Sequence, residues 1–198
     1  MPNQANPTHE RFWQILLIVG TVGFSWFGLQ AVHELGHVLH AWYSGGTVVE
    51  VVLHPTSLSH TLVVPNPCPR FVAWGGPIWG CLLPLALWGV VRVSARRYEP
   101  LARFFAGACL VANGVYLGAS VFAGGNQLDG PAILAAGGSI WSILLFSLVT
   151  VVLGFFLWNG LGPHYGLSKN RQPIDRHAAL IAAIACMLMV AAEMGFSI

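Results

Sequence analysis

The chain has 198 residues, 56% of them hydrophobic and 8% charged, with a formal charge of +2 and a mean hydropathy of +0.68. Ordinary soluble domains carry about a quarter of their residues as charges, so this composition excludes a soluble globular enzyme and places most of the mass in lipid. The small net charge and the lack of a basic cluster with interleaved aromatics exclude a nucleic-acid binder.

The first predicted element is a helix over residues 12–43, ended by Gly45-Gly46. Its apolar run is longer than the core of a cleaved signal peptide and no small-residue cleavage site follows, so a retained membrane helix is expected. Near its end stands His33-Glu34-Leu35-Gly36-His37, the H-E-x-x-H pattern. Residues four apart share a helix face, so both imidazoles can reach one metal ion, with Glu34 beside them to polarise a bound water. A hydrogen-bonded polar cluster is the plain alternative, a costly one in lipid, where ionisable groups usually mark a site. Two β-branched runs, 47–53 and 59–64, flank a Pro/Ser turn and predict a β-hairpin; His54 and His60 read as its loop histidines.

Further spans are expected over 71–93, 101–123, 132–161 and 177–196. The predicted fold class is therefore an all-α membrane protein, a single domain over 1–198, with about five transmembrane helices and a small hairpin between the first and second. With the N-terminus in the cytoplasm, eight of the nine basic residues fall inside and Arg70 alone outside, which favours that orientation. His33, His37 and Asp129 then lie towards the same, outer side. The four cysteines, at 68, 81, 109 and 186, form no C-x-x-C and imply neither a disulfide framework nor a thiolate zinc site.

A catalytic zinc has three protein ligands and an open position, so a third ligand is required. Asp129 is the candidate: it is the only acidic residue between Glu99 and Asp175, in the glycine-rich break 124–131. Asp followed by Gly-Pro at a helix start is equally a good N-cap, and position alone leaves both readings open. His40 reads as a polar residue at the wet end of the first helix, or else as a further ligand. Asn113, mid-span, reads as a helix–helix hydrogen bonder or a weak substrate-binding group. Glu193 is expected to snorkel or to pair. Trp74-Gly75-Gly76-Pro77 lets a helix pack closely.

His33-Glu34-Leu35-Gly36-His37 at the end of a membrane helix, Gly75-Gly76-Pro77 opening the next, and Leu128-Asp129-Gly130-Pro131-Ala132-Ile133-Leu134 opening a later one resemble the site-2 protease family of intramembrane zinc metalloproteases. The resemblance covers residues 25–140. It implies Zn2+ held by His33, His37 and Asp129, Glu34 as catalytic base, and hydrolysis of a peptide bond in or near a membrane-spanning segment of a membrane-protein substrate. Two departures stand out. The Asn-Pro-rich stretch that often precedes Leu-Asp-Gly in the family is Phe122-Ala-Gly-Gly-Asn126-Gln127 here, leaving Asn126 as a weak substrate-binding candidate. Family members keep the site near the cytoplasmic face, whereas the charge distribution here points outward. The length suits a compact member without a regulatory domain, in the plasma membrane of a prokaryote.

Other classes make different demands. A non-proteolytic membrane zinc-binding protein, a pseudoprotease or assembly partner, binds metal but is indifferent to Glu34. A membrane di-iron oxidase needs several histidine boxes, usually with adjacent histidines, and this chain has no His-His pair. A transporter is disfavoured by the lack of visible repeats.

Overall fold

A computed structural model describes residues 7–54, 59–123, 128–170 and 172–195. Its elements are helix α1 (Pro7–Tyr43), strands β1 (Val48–Val52) and β2 (His60–Val63), then α2 (Pro69–Ser94), α3 (Glu99–Ser120), α4 (Asp129–Ala135), α5 (Ile140–Trp158) and α6 (Arg176–Gly195). Short 3-10 turns at Arg96–Tyr98 and Gly162–Tyr165 join the longer helices. The fold is all-α with one small antiparallel hairpin. Five helices are long and apolar enough to cross a membrane: Thr8–Tyr43, Pro69–Ser94, Arg96–Ser120, Ile140–Trp158 and Arg176–Gly195.

Between water and lipid the helix seams obey different rules. Lipid is as apolar as leucine, so helices associate by close packing of small residues. Gly20 of α1 lies against the backbone of Ala182 and Ala183, and Gly23 lies against the Cys186 sulfur. Both contacts advance in the same direction along α1 and α6, so the two helices run parallel. Gly107 and Gly154 face one another's backbone between α3 and α5. Outward-facing Trp26, Leu148, Val152 and Phe156 are all more than half exposed, as a lipid-facing surface requires.

The expected fourth span, 132–161, is two helices. Gly137 takes a left-handed φ of 78°, and Ser139 then caps α5 by accepting a hydrogen bond from the Trp141 N–H. The left-handed residue ends α4 after seven residues, and the new cap starts α5 on its own axis. α4 is thereby a separate short element, pinned by Ile133 into a buried cluster with Ala73, Leu117 and Ile143.

One end of the bundle gathers the start of α1, the 3-10 turns and the starts of α3 and α6. There Gln14 donates to the Tyr165 carbonyl and Arg97 forks onto Asp175. The opposite end holds the C-terminal part of α1, the hairpin, the start of α2 and α4. In the hairpin, Val51 pairs with Thr61 and Val52 with His60. Val63 anchors it against Ala41 of α1 and Val72 of α2. Glu193, expected to snorkel or pair, is 1% exposed, and neither carboxyl oxygen has a hydrogen-bond partner among the described residues.

Candidate metal centre

The site is built where α1 and α2 cross. Gly36 and Gly75 approach so closely that a Cβ on either would collide with the other's backbone. A Cβ on Gly76 would strike the Nε2 atoms of both His37 and His33. The Trp74-Gly75-Gly76-Pro77 segment therefore does more than pack helices. Its absent side chains are the space in which the two imidazoles sit.

Asp129 joins them from α4. Gly130 meets the Ser120 hydroxyl at the end of α3 so closely that a side chain there has no room. Ile133, one turn on, is fully buried. Close approach at Gly130 and anchorage at Ile133 aim the Asp129 carboxylate at α1. Its Oδ2 lies 3.0 Å from His33 Nε2, and its Oδ1 lies 3.4 Å from His37 Nε2. The two Nε2 atoms are 3.1 Å apart. Asp129 is the first residue of α4, with Leu128 at the cap position. The geometry thus separates the two readings that sequence position left open: the side chain faces the histidines.

The hydrogen-bond network places a hydrogen on Nδ1 of both imidazoles. His33 Nδ1 is 2.7 Å from the Asn113 side-chain oxygen, and the Asn113 amide nitrogen donates to the Cys109 carbonyl at 2.8 Å. The Asn113 oxygen must therefore accept, so His33 Nδ1 carries the hydrogen. His37 Nδ1 is 2.8 Å from the Val72 carbonyl, which can only accept. In its neutral form each ring turns a lone pair at Nε2 inward, towards the other ring and towards a carboxylate. In that form three acceptors converge, an arrangement that a bound cation would satisfy.

The donor set fits a metal ion. Tetrahedral zinc with N and O ligands at about 2.0–2.2 Å places neighbouring donors about 3.3–3.5 Å apart. The observed separations of 3.0, 3.1 and 3.4 Å need small adjustments at most. Asn113 and the Val72 carbonyl supply the outward hydrogen bonds that orient metal-binding histidines.

Glu34 is buried at 3% exposure, and its Oε2 accepts a hydrogen bond of 2.7 Å from the Thr61 hydroxyl on β2. The Tyr116 ring meets the His33 ring edge to face at 5.6 Å, and its hydroxyl lies 3.4 Å from the Asp129 backbone nitrogen.

The remaining candidates take the following places. Asn113 is 2% exposed with both ends of its amide engaged, and it acts as the helix–helix hydrogen bonder, holding His33. His40 turns away from the centre, donating from Nδ1 to the Phe71 carbonyl and stacking on the Phe71 ring at 4.0 Å. It joins no metal-binding group among the described residues. Asn126 lies outside the described residues. Sequence reasoning missed Thr61 and Tyr116. For Thr61 a signal existed: strand alternation places it on the same face as the buried Val63.

No protein-family model matches the chain, and no curated protein or solved structure matches it.

Proposed function

We propose that the protein is an intramembrane zinc metalloprotease of site-2 type, cleaving a peptide bond in or near a membrane-spanning segment of a membrane-protein substrate. The observation that carries this reading is the convergence of the His33 and His37 Nε2 atoms on the Asp129 carboxylate, with both Nδ1 hydrogens directed outward. The resemblance of the H-E-x-x-H and Leu-Asp-Gly segments to that family supports it.

His33, His37 and Asp129 would hold the zinc. When bound, it supplies Lewis acidity to the scissile carbonyl and makes water acidic near neutral pH. Glu34 removes the proton of the attacking water and returns it to the leaving amine. Thr61 occupies one carboxylate oxygen, and the other receives that proton. A helical substrate hides its carbonyls in its own hydrogen bonds and must unwind before cleavage. Among the described residues no third strand pairs with the hairpin, and an unwound segment would pair on its edge by strand addition. In this reading the N-terminus is cytoplasmic, and the site opens towards the outer face of a prokaryotic plasma membrane.

The test is metal content and cleavage measured together. Detergent-purified protein should carry close to one zinc, and Glu34→Gln should keep it while cleavage of a transmembrane peptide falls by at least about a hundredfold. Protein that takes up no metal after reloading, or a Glu34→Gln variant with near-full cleavage, would refute the proposal.

A further inference from the structure

Among the described residues, the hairpin meets the site at the carboxylate of Glu34. Thr61 donates to Glu34 Oε2 at 2.7 Å across 27 residues of sequence. The contact is held from both sides. On the strand, Thr61 pairs with Val51, and Val63, two residues on and on the same face, is buried between Ala41 and Val72. On the helix, Glu34 lies between two histidines whose rings are already fixed by Asn113 and Val72. A glutamate has three side-chain torsions, and nothing in the spacing of H-E-x-x-H settles them. One directed hydrogen bond to one oxygen narrows the range of carboxylate orientations.

We propose that Thr61 is a positioning residue for Glu34: its hydroxyl holds Oε2 so that the second oxygen faces the water to be activated. This rests on the metalloprotease reading above and extends it to the hairpin. It makes the hairpin part of the catalytic apparatus as well as a docking edge. A peptide segment that pairs with the hairpin then bears on the strand that orients the base, so docking and base alignment are mechanically joined.

Thr61→Val removes the hydroxyl while keeping a β-branched, strand-forming side chain, and Thr61→Ser keeps the hydroxyl. Two readouts are needed. The first is the Glu34 carboxylate stretch, taken as the infrared difference between each protein and its Glu34→Gln counterpart, which requires no substrate. That band should shift in Thr61→Val and return in Thr61→Ser. The second is turnover of a transmembrane peptide at unchanged zinc content. In Thr61→Val, kcat should fall about ten- to a hundredfold, the span of a hydrogen bond to a charged group, with KM within about twofold. In Thr61→Ser most of the rate should return. An unshifted band, or a loss confined to KM, overturns the proposal. A wild-type protein that binds zinc but never cleaves overturns the underlying metalloprotease reading, and the band still decides whether the hydroxyl holds the carboxylate.

Discussion

Two ionic constellations sit at opposite ends of this bundle, about 30 Å apart along the 20 residues of α1 from Leu17 to His37. At one end His33 and Asp129 meet at 3.0 Å with side chains 11% and 14% exposed. At the other end Arg97 and Asp175 form a forked pair with side chains 53% and 31% exposed. The second pair balances itself, a cation against an anion, in contact with water. The first brings one anion against two imidazoles, with little exposure to water. A buried set of acceptors without a cation is costly, whereas an exposed ion pair is cheap to lose. Geometry alone would call both salt bridges; burial separates a binding centre from a surface tie.

That contrast predicts a descending series of effects. Removing a donor from the buried set should have the largest: Asp129→Ala or His37→Ala should abolish zinc retention, read by elemental analysis of the purified protein. If Asp129→Ala keeps its zinc, the two ends are more alike than described here. Next comes Gly76→Ala, whose Cβ collides with both imidazoles. It should lose metal affinity and about 1–3 kcal/mol of stability, the usual cost of overpacking, measured by binding and by unfolding in detergent. Third is Asn113→Leu, which deletes the acceptor behind His33 but leaves all three donors. Zinc affinity should fall about ten- to a hundredfold.

The smallest effects belong to the exposed end. Arg97→Ala should change stability only slightly, because solvent screens the pair. Its hydrogen bonds to Asp175, aided by backbone donors at His177 and Ala178, hold the Asp175 carboxyl down at about 2 from a usual 3.8, against the opposing effect of burial. A depressed acid stabilises the fold above its unfolded value, so this small contribution should be complete above about pH 4 and disappear as pH falls towards 2. Comparing wild type with Arg97→Ala across that range checks it; a difference that persists unchanged at pH 2 would mean the pair is not what lowers Asp175.

Much of the site was legible before the structure because it depends on helical period. His33 and His37 share a face by spacing alone, and the five spans follow from length and apolarity. What sequence left open depended on long-range placement. Whether Asp129 caps its helix or faces α1 is decided by Gly130 against Ser120 and by Ile133 in its cluster, and neither contact is local. Asn113 lies 80 residues from His33, so its choice of partner could not be read from either neighbourhood. The break between α4 and α5 was written in Gly137-Gly138-Ser139, but it was hidden inside a run apolar enough for one span. Glu193 shows the converse failure: a carboxylate near a helix end invites a surface reading, yet it is buried at 1% exposure.

The seven-residue length of α4 has a thermodynamic consequence. Its donor lies 96 residues from His33, so a metal bridging them would close a long chain loop, acting as a cross-link rather than only as a reagent. Because the unfolded chain has no such site, each increment of binding free energy adds to the free energy of folding. The bridged protein should therefore melt higher as free zinc rises and lower when a chelator is added. Protease digestion should then find its earliest new cuts around α4, the element whose attachment to α1 the metal completes.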